Sequence, residues 1–456
     1  MDLSAINRVY LIGIGGIGMS ALARYFKSQG CSVAGYDRME SELTKALESE
    51  GIAVTYFDGI EGLIPEMRSL DEDLLVIRTP AVPSENEILQ YFGTQHKLYK
   101  RSEVLGWITK QYNTIAIAGT HGKTTISCMV AHLLTASGYG CNAFLGGIAT
   151  NYNSNVLINK GSGTVVVEAD EYDRSFLRLE PNICAISSLD ADHLDIYGQH
   201  DDMIEGFRLF AANLKEGGRS IVHTSVAEHI KGTYTYGVED GAVFQAKNIH
   251  AVDGKFFFDL QGPLSNIEGL ELAMPGRHNV ENATAALAIS LELGVEPQAL
   301  KEALSSFSGV KRRFEYQLRS ADLLFIDDYA HHPTEISACI NAVREVHPGK
   351  KITAVFQPHL FSRTRDHADA FARSLERSDE LILLDIYPAR EQPIEGIDSA
   401  MLLAKVQMEK KTLCSKKELI EDLKERELEV LLTMGAGDID QLLIPIKELF
   451  QQKIGS

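Results

Sequence analysis

The stretch "RVYLIGIGGIGMSAL" at residues 8–22 decides the fold class. An apolar, strand-like run leads into Gly13, Gly15 and Gly18, spaced as G-x-G-x-x-G. Met19, Leu22, Ala23 and Phe26 then recur at helical spacing, and Gly30 stops the helix. Strand, glycine turn and helix open a nucleotide-binding βαβ unit. Glycines let a pyrophosphate approach the backbone, and the N–H groups at the helix start face it. Asp37 follows about 20 residues later, where such folds place a ribose-binding carboxylate. Taken alone, the stretch suggests a nicotinamide or flavin enzyme.

Working outward, "CSVAGYD" reads as a strand, "SELTKALESEG" as a helix and "DLLVIRTPAV" as a strand running into a loop. The βαβαβ order predicts a parallel sheet with crossover helices to about residue 108. A second unit opens with "NTIAIAGTHGKTTISCMVAHLLTASG". It carries strands at "GTVVVEAD" and "PNICAISSL" and a helix through Ala283, Leu287 and Ile289, and it reaches about residue 313. A third begins at "LLFIDDYAHHPTEISACINAVREV" and continues with strands "KITAVFQP", "ELILLDIY" and "EVLLTMGAGD". The expectation is an α/β protein of three domains. These are a Rossmann-like N-terminal domain (1–108), a P-loop-type central ATPase domain (109–313) and an α/β C-terminal domain (314–456).

The bulk numbers agree. A chain of 456 residues, 45% hydrophobic and 23% charged, can bury two to four cores. With 44 basic and 63 acidic residues the net charge is −19, and the pI is near 5.2. That speaks against a nucleic-acid or membrane-surface binder. Six scattered cysteines without a C-x-x-C suggest buried thiols in a reducing compartment. No signal peptide and no run of about 20 apolar residues is visible, so a cytoplasmic protein without membrane insertion is expected.

The second glycine loop decides the chemistry. "AGTHGKTT" at 118–125 lies between a strand and a helix, the setting of a phosphate-binding loop. Ile117 stands where the full pattern has glycine, so the loop is a shortened variant. Lys123 becomes the phosphate lysine and Thr124 the Mg²⁺ hydroxyl. The alternative is a Gly-Lys-Thr in a plain surface turn. Glu168, Asp170, Glu171 and Asp173 follow a buried strand, and Glu168, first off it, is the preferred metal ligand. Some of the four belong to a solvated turn. His193, in "SLDADHLDIYG", ends the adjacent strand and is a further ligand candidate, although a lone histidine is more often structural.

Nine segments, "GTHGKTT", "EADEYDRSF", "DADHLD", "PGRHNVENATAA", "GVKRRFE", "DDYAHHPTE", "FQPHLFSRTRD", "YPAREQPIEG" and "GAGD", occur in the order seen in the ATP-dependent Mur ligases. The chain resembles that family from about residue 8 to 438, most closely the branch joining L-alanine to UDP-N-acetylmuramate. The resemblance implies that the first glycine loop binds UDP rather than NAD, that the central domain binds ATP and Mg²⁺, and that the C-terminal domain closes over both. It implies an acyl phosphate on the muramoyl carboxylate, attacked by the amine of L-alanine. The protein would then serve peptidoglycan synthesis as a monomer or homodimer.

The resemblance also implies residue roles. Gly15, Gly16, Ile17 and Gly18 face the UDP pyrophosphate, Asp37 lies on the uridine side, Ser20 caps the helix and Thr79 lines the site. His121 sits beside the muramoyl carboxylate. Gly119, Thr120, Gly122, Lys123, Thr124 and Thr125 hold the nucleotide, while Thr124, Glu168 and His193 hold the metal. Arg174 and Ser175 approach the sugar-lactoyl group. His278 and Asn282 flank the adenine, and Arg313 and Asp328 reach the nucleotide. Tyr329, His331 and Arg363 form the amino-acid pocket.

Two departures stand out. No lysine lies between Asp195 and Asn213, where sister ligases carry a carbamylated one, in keeping with the L-alanine-adding branch. Leu360 replaces an arginine common after His359. The competing expectation is the recycling ligase that adds a tripeptide to the same nucleotide sugar. Tyr172 resembles that branch, but "RSFLRLEPN" lacks its long insert. "DDYAHH" does not match a zinc pattern, His332 reads as a structural hydrogen-bonder, and Arg312 is a weaker candidate than Arg313.

Overall fold

A computed structural model of the chain describes residues 3–192, 194–389 and 391–454. The N-terminal stretch forms β1 (Arg8–Ile12), α1 (Ile17–Ser28), β2 (Ser32–Tyr36), α2 (Glu42–Ser49), β3 (Ala53–Thr55), β4 (Leu74–Arg78), α3 (Glu87–Gln95), β5 (Leu98–Lys100) and α4 (Arg101–Thr109). Its five strands make a parallel sheet ordered β3-β2-β1-β4-β5. The order reverses direction at β1/β4, which opens a crevice at the strands' carboxyl ends. The four apolar positions read as a helical stripe, Met19, Leu22, Ala23 and Phe26, are all buried, and Gly30 has φ +93 just beyond α1. A positive φ is cheap only for glycine, so the helix ends there.

The next stretch carries β6 (Asn113–Ala118), α5 (Lys123–Ala136), β7 (Asn142–Ala149), β8 (Ser154–Leu157), β9 (Thr164–Glu168), β10 (Ile183–Ile186), α6 (Leu194–Tyr197), α7 (His200–Ala212), β11 (Arg219–His223), β12 (Tyr234–Gly237), β13 (Phe244–Val252), β14 (Lys255–Gln261), β15 (Ile267–Leu272), α8 (Arg277–Glu292) and α9 (Pro297–Ser305). Its sheet runs β15-β14-β13-β12-β11-β10-β6-β9-β7-β8. The near-unbroken apolar runs of β6, β9 and β10 suit strands covered on both faces, and every strand residue but Asn113 and Glu168 is buried. Strands β11 to β15 extend this sheet well past the three strands legible in the sequence.

The last sheet, β16-β17-β21-β18-β19-β20, is built from β16 (Glu315–Arg319), β17 (Leu324–Asp328), β18 (Ile352–Phe356), β19 (Glu380–Leu383), β20 (Lys411–Leu413) and β21 (Val430–Met434). Helices α10 (Pro333–Val346), α11 (Phe361–Leu375), α12 (Ser399–Lys405), α13 (Lys416–Lys424) and α14 (Leu443–Ile454) accompany it. Only β16 is antiparallel to its neighbour among the pairings of β16 to β21. Separate apolar clusters cover its two faces. The chain packs as two compact units, Met1–Ala246 with Leu260–Ile267 and Asn282–Phe307, and Lys247–Asp259 with Glu268–Glu281 and Ser308–Ser456. The six cysteines are free, five of them buried and Cys31 half-buried. Among the described residues no helix is long and apolar enough to cross a membrane.

Candidate active site

Strands β10, β6 and β9 lie side by side and run parallel, so their carboxyl ends open onto one crevice. The loop 119–122 leaves β6 there and turns into α5. Gly119 (φ +128) and Gly122 (φ +81) make the turn. A Cβ on Gly119 would lie 2.2 Å from Ser187 Oγ, so only glycine lets the loop press against the end of β10. The loop is strapped down by hydrogen bonds. Thr120 N donates to Ser188 O (3.1 Å), His121 N donates to Ser188 Oγ (2.8 Å) and Asp190 N donates to Thr120 Oγ1 (3.1 Å). No side chain caps α5 and its first turn holds no acid, which leaves a helix start open to an anion.

Lys123 curls back over this loop. Its Nζ donates to Gly119 O (2.6 Å) and pairs with Glu171 Oε1 (2.8 Å). Burial pulls the ammonium pKa down, but Glu171, Glu168 and Asp170 outweigh that and hold it above its ordinary value. Thr124 and Thr125 are buried on the first turn of α5. Gly122 meets α8, since a Cβ there would stand 2.6 Å from Asn282 Oδ1. His278 lies one turn earlier on the same face of α8. Burial drives its pKa down to about 4, so the ring is neutral at physiological pH.

Glu168 ends β9, and its carboxylate lies against Gly146 of β7. A Cβ there would fall 2.1 Å from Glu168 Oε2. The missing side chain leaves room for a carboxylate, and a carboxylate with the Thr124 hydroxyl is the hard-oxygen donor set that Mg²⁺ takes. His193, the third expected ligand, lies outside the described residues. His121 Nε2 is 3.1 Å from Asp190 Oδ2, which fixes the orientation of its ring. Arg174 (φ +52) lies over the Tyr197 ring at 5.2 Å. The Ser175 hydroxyl donates within its own turn, to Asp170 O and Tyr172 O.

At the first glycine loop, Gly15 N donates to Asp37 Oδ2 (2.7 Å), so Asp37 anchors the loop as well as lining the crevice. Thr79, just beyond β4, packs on Gly13, whose Cβ would fall 2.3 Å from its methyl. Gly16 is the N-cap of α1, Ile17 its first residue, and a Cβ on Gly18 would strike the Arg101 side chain at 2.8 Å. Ser20 corrects the expectation. It is not a cap but sits inside α1, fully buried, donating to Ile17 O and accepting from Asn155 Nδ2. Helical geometry turns position 20 away from the loop mouth, and Asn155 uses its hydroxyl.

In the second unit, Asp328 accepts from Phe314 N and Ala330 N, both at 2.7 Å. Burial pushes its pKa up to about 6 against the pull of Arg313 and these N–H groups. Arg312 and Arg313 both lie over the Tyr329 ring, at 5.2 and 5.1 Å. Arg312 binds Asp327 Oδ2 (3.1 Å) and Gly435 O (2.7 Å), a structural role, whereas Arg313 reaches Glu335 at 3.8 Å. His331 packs edge-on to Tyr329 and also meets Glu335 (3.4 Å). Arg363 is buried on α11 beside His359, with Nη1 3.5 Å from Nδ1. Leu360 holds φ +71, a costly conformation for a bulky side chain, at the turn that starts α11. His332 caps α10 by accepting from Thr334 N, as its sequence setting suggested. Three neighbours went unread in the sequence: Glu171 as partner of Lys123, Arg101 at Gly18, and Tyr197 beneath Arg174. Membership in an acidic cluster was the only signal any of them gave.

Family models match the chain in series. "Mur ligase family, catalytic domain" covers residues 8–113, "Mur ligase middle domain" 117–290, and "Mur ligase, glutamate ligase domain" 312–438. A relative in Cytophaga hutchinsonii, named UDP-N-acetylmuramate--L-alanine ligase, is 49% identical over 463 residues, covering 100% of this chain and 99% of its own. A relative of the same name in Flavobacterium psychrophilum is 50% identical, covering 99% and 100%. The solved UDP-N-acetylmuramate-alanine ligase of Thermotoga maritima superposes with a TM-score of 0.82 at 29% identity, covering 98% and 99%. A murein peptide ligase of Psychrobacter arcticus shares the fold, with a TM-score of 0.70 at 22% identity over 97% and 98%.

Proposed function

The chain belongs to the Mur ligase family, and on that premise we propose that it is an ATP-dependent ligase joining L-alanine to the lactoyl carboxylate of UDP-N-acetylmuramate. One observation carries the chemistry: a largely buried ammonium, Lys123, lies inside a glycine loop at the carboxyl ends of parallel strands, paired with the carboxylate of Glu171 and within the field of Glu168. The near-half identity to full-length ligases of that name supports the choice of substrates.

In this reading a carboxylate oxygen of the nucleotide sugar takes the terminal phosphoryl group of ATP, releasing ADP. The amine nitrogen of L-alanine then attacks the acyl carbon. The tetrahedral intermediate loses phosphate and the nitrogen loses a proton. Two anions must meet, so the protein's task is positioning and charge neutralisation. Lys123 and the open start of α5 hold phosphates, and the glycine loop at 13–18 holds the UDP pyrophosphate. Thr124 and Glu168 suit Mg²⁺, which would neutralise phosphate charge. His121, oriented by Asp190, is assigned to the muramoyl carboxylate, and Arg174 and Ser175 to the sugar. In the second unit Arg313 and Asp328 are assigned to the nucleotide, and Tyr329, His331 and Arg363 to the amino acid. Arg363 offers that amino acid's carboxylate a charge-assisted bond. The functional boundaries proposed are 1–108, 109–313 and 314–456.

The test is an amine panel. Pure protein with ATP, Mg²⁺, UDP-N-acetylmuramate and L-alanine should release phosphate, and replacing alanine by the cell-wall tripeptide should not. Phosphate release with tripeptide alone would overturn the assignment in favour of a recycling ligase.

A further inference from the structure

Three acids follow β9, and one of them lies apart from the others in burial. Asp170 and Asp173 are half-exposed and meet Arg101 (3.6 Å) and Lys100 (2.9 Å) near the surface. The Glu171 side chain is 0% exposed, and its carboxylate points inward to Lys123 Nζ at 2.8 Å. Burying a carboxylate is costly unless a cation repays it. The cation here is the lysine of the phosphate loop.

The mount of Glu171 is firm. Its carbonyl accepts from the Tyr197 hydroxyl (2.7 Å) and from Arg174 N (3.0 Å). Tyr197 is itself buried, with its ring against Gly206 of α7, where a Cβ would stand 3.2 Å away. Two residues of the same turn, Asp173 and Arg174, hold positive φ, which the surrounding contacts must maintain. The turn thus fixes one carboxylate at one place.

We infer that Glu171 is a positioning residue for Lys123, holding the ammonium in the loop with a donor left for the terminal phosphates of ATP. An ammonium has three N–H groups. Glu171 Oε1 (2.8 Å) and Gly119 O (2.6 Å) occupy two directions, and the third meets only Thr120 O at 3.4 Å, a long contact that a phosphate oxygen can displace. Without Glu171 the four-carbon stem would leave the ammonium free to choose among loop carbonyls. The inference rests on the ATP-dependent reading above.

The experiment compares wild type with Glu171→Ala, Glu171→Gln and Tyr197→Phe. The readouts are ATP binding by calorimetry, thermal unfolding, kcat, and KM for ATP and for UDP-N-acetylmuramate. A misplaced catalytic group costs on the order of 10²-fold. Glu171→Ala should therefore lose about that much in kcat, Glu171→Gln less, and Tyr197→Phe less again in the same direction. KM for the UDP-sugar should stay at the wild-type value. A merely structural role would lower the unfolding temperature and leave kcat and KM for ATP of the folded enzyme unchanged, and that result overturns the inference. Should Glu171→Ala fail to fold, wild-type kcat in both Glu171→Gln and Tyr197→Phe overturns it equally. If wild type itself does not bind ATP, the ligase reading falls and takes this assignment with it. If wild type binds ATP while the variants behave like it, only the assignment falls.

Discussion

Gly146→Ala should separate activity from stability. Gly146 lies in β7 without a positive φ, so alanine fits its backbone. The added Cβ would stand 2.1 Å from Glu168 Oε2, 2.3 Å from Oε1 and 2.3 Å from Cδ. Ordinary carbon–carbon contacts begin near about 3.5 Å, so the carboxylate must move by more than about 1 Å. It is the far end of a flexible side chain and can swing away, so the fold loses little. Restricting the unfolded chain even returns about 0.4–1 kcal/mol. The metal position loses its carboxylate, and a displacement of that size costs on the order of 10²-fold in rate, or about 2.7 kcal/mol of barrier. The assay is phosphate release against Mg²⁺ concentration, alongside thermal unfolding. The expected result is an unfolding temperature equal to or above wild type, a large fall in kcat and a higher Mg²⁺ requirement. Wild-type kcat and Mg²⁺ dependence in the folded variant would refute the placement of Glu168 at the metal.

Lys123→Ala should abolish phosphate release while the fold persists at a cost. It strands the buried Glu171 carboxylate, and losing one partner of a buried pair costs about 3–5 kcal/mol, visible in denaturant unfolding. Substantial remaining turnover would count against Lys123 as the phosphate lysine. Asp328 supplies a pH test. Its pKa rises from 3.8 to about 6 on folding, so between those values the folded chain keeps a proton that the unfolded chain has lost. Its contribution therefore favours folding at low pH and fades as pH rises through that window, by about 3 kcal/mol in all. Asp328→Asn should flatten the stability change between pH 4 and 6 in denaturant titrations. An unaltered slope would show that Asp328 does not titrate there.

Much of the fold was legible in local pattern. The stripe through Met19, Leu22, Ala23 and Phe26 and the stop at Gly30 are short-range features, and α1 forms where they place it. The strand, glycine turn and helix around residues 119–122 were equally legible, because their signals are adjacent in the chain. Ser20 was misread, since helix-start residues share one composition whether or not they cap. The additions β11 to β15 went unread, because β12 is only four residues long, β13 and β15 alternate irregularly, and the consecutive Phe256, Phe257 and Phe258 blur in sequence the alternation that β14 shows in burial.

The sequence by itself determined the elements that flank the two glycine loops, the loops themselves and the family, because propensity, periodicity and motif order are properties of neighbouring residues. The tertiary structure alone decided where each acid of the cluster lies. Glu168 and Glu171 are three residues apart, one ending β9 and the other in the turn that follows. One lies in the space left by Gly146, the other against Lys123, 48 residues away in the chain. That division depends on which strand lies beside β9 and on what each side chain loses by leaving water, and neither can be read from a run of like charges.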